Sequence, residues 1–71
     1  MKTNHQYETI ELVVDLNPVI RKGLQGVILE IWDEQTYEVE FPDKDGVNLE
    51  FEGIATFTVN ISFIKIHDSL K

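Results

Sequence analysis

Apolar and polar positions alternate with a period of two along much of this chain. In "YEVEFPDKDGVNLEFE", residues 37–52, Tyr37, Val39 and Phe41 share one parity before a turn. Val47, Leu49 and Phe51 share one parity after it, and Glu38, Glu40, Glu50 and Glu52 lie between. Successive side chains of a strand point to opposite faces. The segment therefore predicts a hairpin with an apolar inner face and an acidic outer one. "PDKDG", residues 42–46, supplies proline, aspartate and glycine for its turn.

Upstream, residues 8–16 predict a first strand, with Ile10, Leu12, Val14 and Leu16 on one parity and Glu11 and Asp15 on the other. Val13 breaks the alternation. "DLNPVIRKGLQG" predicts a loop, because Pro18 restricts Asn17 and lacks an amide donor, and Gly23 and Gly26 permit unusual backbone angles at its end. Within it, Val19 and Ile20 either tuck under the loop or form an exposed apolar spot. "GVILEIW", residues 26–32, predicts a second strand. Val27, Leu29 and Ile31 are assigned to the core, and Ile28, Glu30 and Trp32 to the outside. "DEQT" turns the chain into Tyr37. Gly53, inside an extended run, implies a bulge or sharp bend. Beyond it Ala55, Phe57 and Val59 alternate with Thr56, Thr58 and Asn60, and "FIKI" reads as a last short strand.

No segment has a helical period, β-branched and aromatic residues dominate each run, and turns recur about every ten residues. The expectation is an all-β fold, a partly open small barrel of about five strands, since curling hides strand edges. Its single domain spans residues 8–66, with a flexible N-terminus at 1–7 and a tail at 67–71.

At 71 residues the chain holds one domain at most, and a chain so short buries only about 60% of its unfolded surface. Hydrophobic residues make up 42%, enough for a globular core, and there is no cysteine to form a disulfide or thiolate metal site. "MKTNHQYETIE" lacks the apolar stretch of a secretory signal, and no apolar run approaches the roughly 18 residues of a membrane span. A cytoplasmic location is expected. Thirteen acidic against six basic residues give a formal net charge of -7. Such a field repels phosphate and anionic membranes and attracts basic partners, although an acidic surface also serves solubility alone.

"KGLQGVILEIW", residues 22–32, resembles the glycine-framed turn and second strand of small SH3-like barrels, including the KOW type. The wider order is similar to short bacterial proteins of uncharacterised function, and "YEVEF" at residues 37–41 is its most specific part. The resemblance covers residues 8–66. It implies an SH3-like barrel, and neither a settled activity nor catalytic residues. "FEGIATFTVNIS" departs from the shorter strand and turn expected before the last strand, so the pairing after Gly53 stays open. KOW relatives commonly bind RNA or ribosome-associated protein, but that role needs basic residues. Lys2, Arg21, Lys22, Lys44, Lys65 and Lys71 are scattered, with only Arg21 and Lys22 adjacent.

Parity fixes what a folded sheet shows outside. Glu30 falls opposite Glu38 or Glu40, and one of these neighbours Glu50 or Asn48 in the next hairpin. A line of carboxylates then crosses three strands beside Trp32. Like charges directly opposite each other destabilise a sheet by up to about 1 kcal/mol per pair. Arginine or lysine from a partner would relieve that repulsion, and an aromatic anchor within a charged surround is typical of interfaces. Glu30, Trp32, Glu38, Glu40 and Glu50 are thus the candidate partner-binding residues. The blander readings are a solvated acidic face that discourages edge pairing, and a Trp32 folded over the barrel edge onto Val19 or Ile20.

Catalysis finds little support. Ser62, Ser69, His5 and His67 suggest no triad, and thirteen carboxylates supply acid–base pairs by chance. "DKDG" shares closely spaced acids and a glycine with a calcium loop, but turn chemistry accounts for it. Gly23 and Gly26 lack the helix and lysine of a phosphate cradle. No enzyme activity, metal or cofactor is expected. The leading expectation is a protein-binding module of inhibitor, antitoxin or immunity-like kind that docks a basic protein. The alternatives are a KOW-like barrel associated with nucleic acid or the ribosome, and a structural accessory domain that forms a homodimer through an edge strand.

Overall fold

The computed structural model describes residues 6–67. Five strands form one antiparallel sheet: β1 (Thr9–Leu12), β2 (Gln25–Asp33), β3 (Thr36–Glu40), β4 (Thr56–Asn60) and β5 (Ile64–His67). A 3-10 turn, Ile61–Phe63, links β4 to β5. The strand order is β4-β3-β2-β1-β5, so consecutive strands β4 and β5 occupy opposite edges. A flat five-stranded sheet would separate those edges by about 19 Å. The step from Asn60 to Ile64 spans at most about 14 Å, so the sheet must curl. The all-β class and the five strands match expectation, but the sheet is not closed into a barrel.

Cross-strand registers define two faces. On the inner face Ile28 pairs with Val39 and Val39 with Phe57, Ile31 pairs with Tyr37 and Tyr37 with Val59, and Leu12 pairs with Ile64. Ile10, Leu12, Ile20, Ile28, Tyr37, Val39, Phe41, Val59 and Ile64 form the buried core. The parity assigned to β2 is corrected. Ile28, not Val27 or Leu29, is fully buried, and Val27 lies opposite Glu40 on the outer face. The cause is the first of two register shifts, which lies between Ile28 and Glu30; the second lies between Ile31 and Asp33. Each inserts one extra residue, Leu29 and then Trp32, and each reverses the alternation. The first shift returns Ile31 to the inner side and turns Glu30 outward.

The first strand is shorter than the predicted 8–16, because the chain leaves the sheet at Val13 to enter the loop. Asn17 organises that loop: its Oδ1 accepts from the amides of Val19 and Ile20, at 2.9 and 2.8 Å. The carbonyl of Ile20 in turn accepts from Leu16 N. Ile20 is thereby driven into the core while Val19 stays exposed. Gly26 lies where β2 passes beneath Phe41; a Cβ there would meet the Phe41 ring at 2.7 Å and the Glu40 carbonyl. Only glycine permits this approach.

Residues 47–49 turn back antiparallel on 41–43, through the bridge Pro42↔Asn48 and the hydrogen bonds from Asp43 N to Val47 O and from Leu49 N to Phe41 O. A short hairpin thus forms at the expected turn, but 47–51 do not continue it as a strand beside β3, which corrects the expectation for that segment. From residue 50 the chain leaves that pairing and is next held by the isolated bridge Phe51↔Ile54. Asp43 closes the "PDKDG" turn by accepting from the amides of Asp45 and Val47. The sharp bend implied by Gly53 is present. Glu52 and Gly53 both take positive φ, 54° and 81°, in a tight turn whose flanking residues Phe51 and Ile54 exchange two backbone hydrogen bonds. This turn sends the chain back as β4, which pairs with β3. The expectations for residues 1–5 and 68–71 lie outside the described residues.

Candidate functional site

The outer sheet face collects the acidic side chains. Glu30 on β2 lies directly opposite Glu38 on β3, one of the two registers the sequence allows. Glu40 lies opposite Val27, and Glu11 on β1 lies opposite Gln25 and Lys65. Carboxylates thus lie on three adjacent strands, β1, β2 and β3, but not in one line: Glu30 and Glu38 oppose each other, whereas Glu11 stands opposite Gln25. Glu50 is exposed on the irregular segment, away from any strand. Its proposed neighbourhood beside Glu38 is therefore corrected. The strand next to β3 is β4, and Thr58 occupies the position opposite Glu38. Asn48 does reach the face, donating from Nδ2 to Glu40 Oε1 at 2.8 Å.

Trp32 is the extra residue of the second register shift. A bulge residue is released from the alternation, which explains why so large a ring remains 59% exposed. Of the two loop residues that the sequence offers as its packing partners, Val19 is exposed and Ile20 is fully buried in the core. The Trp32 indole Nε1 donates to Glu38 Oε1 at 3.1 Å. Thr58 Oγ1 donates to the same oxygen at 2.7 Å, and Thr56 Oγ1 donates to Glu38 Oε2 at 2.8 Å. Three donors from β2 and β4 converge on one carboxylate of β3. The hydrogen bond from Thr58, followed by those from Thr56 and Trp32, holds the Glu38 carboxyl below its usual range despite partial desolvation.

This arrangement divides the labour between the two opposed glutamates. Glu38 spends its acceptor capacity inside the protein and fixes the orientation of Trp32. Glu30 is exposed, and its one described contact is a 3.4 Å approach from Gln6 Nε2, which also donates to the Leu29 carbonyl at 2.8 Å. Glu30 and the open indole are thus the parts of the cluster offered to solvent. Elsewhere on this face Glu11 Oε1 lies 3.2 Å from His67 Nε2. Among the described residues no group of three or more histidine, cysteine or carboxylate side chains is placed to hold a metal ion.

Glu11, Thr56 and Thr58 were not among the sequence candidates. Thr56 and Thr58 share an outward parity in "TFTVN", matching the Glu38–Glu40 spacing. The matching spacing is a usable signal once β4 is known to pair with β3. No residue pattern announced that pairing.

A family described as a domain of unknown function (DUF4926) matches residues 6–59. No curated protein and no solved structure matches the chain.

Proposed function

The chain belongs to the DUF4926 family, a domain of unknown function, and from that premise we propose that it is a non-enzymatic protein-binding module whose outer sheet face docks a basic protein. The observation that carries this reading is the exposed Trp32 ring, pinned through its N–H to Glu38 and set beside the exposed Glu30 carboxylate. An arginine or lysine side chain can stack on the indole face while its charge meets Glu30. Because Trp32 is already oriented, little side-chain entropy is lost on contact. An inhibitor, antitoxin or immunity-like role fits a small acidic protein of this kind. Strand order and the 3-10 turn before β5 support an SH3-like description of the fold. A bacterial, cytoplasmic setting completes the reading; the sequence resemblance supports the first part, and a cysteine-free composition is compatible with the second.

Trp32 is the single tryptophan, so intrinsic fluorescence reports on this site alone. Titration with a short arginine-rich peptide is expected to give a saturable change in emission that weakens with salt. Glu30→Lys should weaken binding at least about tenfold, the scale of one lost charge contact. Glu52→Lys makes the same charge change on the turn before β4 and should weaken it much less. Equal losses in the two variants would reduce the effect to net charge and remove the site. A comparable response to an RNA oligonucleotide would favour the KOW-like reading instead.

A further inference from the structure

We infer that the edge strand β4 pairs with β4 of a second copy of this chain, antiparallel, about a two-fold axis through Thr58. β4 is hydrogen-bonded to β3 on one side and forms one edge of the sheet. Exposed edges are ordinarily protected by charged side chains. β4, "TFTVN", is the one strand of the five without an ionisable residue: β1 carries Glu11, β2 Glu30 and Asp33, β3 Glu38 and Glu40, and β5 Lys65 and His67. In a protein of net charge -7, this is the edge where a second copy meets least direct repulsion.

The strand is also complementary to itself. A two-fold axis through Thr58 sets Thr58 against Thr58, Thr56 against Asn60, and Phe57 against Val59. Polar residues meet polar ones on the outer face, and an aromatic residue meets a β-branched one on the inner face, both favourable cross-strand pairs. Phe57 is only half-buried in the single chain, packed on the core with its ring centroid 6.0 Å from that of Phe41. Pairing would cover its remaining surface. The two Glu38 side chains would stand three strand spacings apart, roughly 14 Å, beyond the screening length at physiological salt. The other edge lacks this property. A two-fold pairing of β5 that keeps its faces matched sets Lys65 against Lys65 or against His67. The inferred dimer is one continuous sheet with both Trp32 sites on the same side, and it stands independently of what those sites bind.

Sedimentation equilibrium of the full chain at rising concentration should show a mass approaching twice the 8.2 kDa of the monomer. Because the chain has no cysteine, Thr58→Cys places a lone thiol on the proposed axis, where opposed Cβ atoms lie about 5 Å apart. Mild oxidation should cross-link this variant rapidly and leave Lys65→Cys, on β5, largely monomeric. A wild-type mass that stays monomeric at every concentration overturns the pairing. So does assembly into rings of three or more copies, or cross-linking of Lys65→Cys as fast as Thr58→Cys.

Discussion

Glu38 shows how one side chain can organise a surface. Its carboxylate gathers Trp32, Thr56 and Thr58 from the two flanking strands, so a residue facing a like-charged neighbour is also a cross-strand tie. The tie has a pH signature. The folded carboxyl titrates below its ordinary value of 4.5, so its contribution is complete above that value and is lost as the pH falls through the lowered one. Glu38→Gln is expected to cost up to about 1 kcal/mol at neutral pH, limited by partial exposure and screening. The same variant should lose less stability than the wild type on acidification. Urea denaturation at neutral and acidic pH measures both effects. A stability gap that persists unchanged in acid would show that the charge of Glu38 is not what these donors recognise. Asp15 has a related local role: the amide of Lys22, then the nearby Arg21 guanidinium, hold its carboxyl below the usual range.

At the scale of elements, the informative features are departures from regularity. Two extra residues in β2 each reverse its alternation, and the first, Leu29, leaves Ile28 and Glu30 on opposite sides. The loop between β1 and β2 behaves as a core element through Ile20, which Asn17 positions with two side-chain hydrogen bonds. Ile20→Ala is therefore expected to destabilise by about 2–5 kcal/mol, as for a strand residue in the core. Val19→Ala, one position earlier and exposed, should fall within about 0.5 kcal/mol of the wild type. Thermal or chemical denaturation distinguishes the pair, and comparable losses would mean that the loop is not anchored by Ile20. For a domain this small the larger loss is a sizeable part of the total stability.

Over the whole molecule, charge and edges set the behaviour. The outer face opposes Glu30 to Glu38 and adds Glu40 and Glu11, with Lys65 and His67 toward the β5 edge. Salt should therefore raise the denaturation midpoint by screening mutual repulsion. Glu30→Lys converts a like-charged pair into an opposite one and is expected to stabilise the fold by about 0.5–1 kcal/mol, with a smaller salt increment. A protein that is stabler while binding its partner less well would indicate a surface shaped by recognition. A destabilised Glu30→Lys variant would show that Glu30 supports the sheet in its own right.

The sequence by itself determined the all-β class, the alternation of β3 and β4, the acidic character of the outer face, the turn at 42–46 and a bulge or bend at Gly53. These are local quantities: alternation, β-branched content, and glycine or aspartate at positions needing particular backbone angles. Tertiary structure alone decided which strand lies beside β3. Two apolar-alternating segments, 47–51 and 56–60, competed for that place, and alternation cannot rank them. The second won it through a five-residue register with β3, leaving Glu50 off the sheet and bringing Thr56 and Thr58 to Glu38. Tertiary structure also decided the bulges at Leu29 and Trp32, because a register shift belongs to two strands at once and is written in neither. The composition of the acidic face was local information, whereas its geometry depended on long-range pairing.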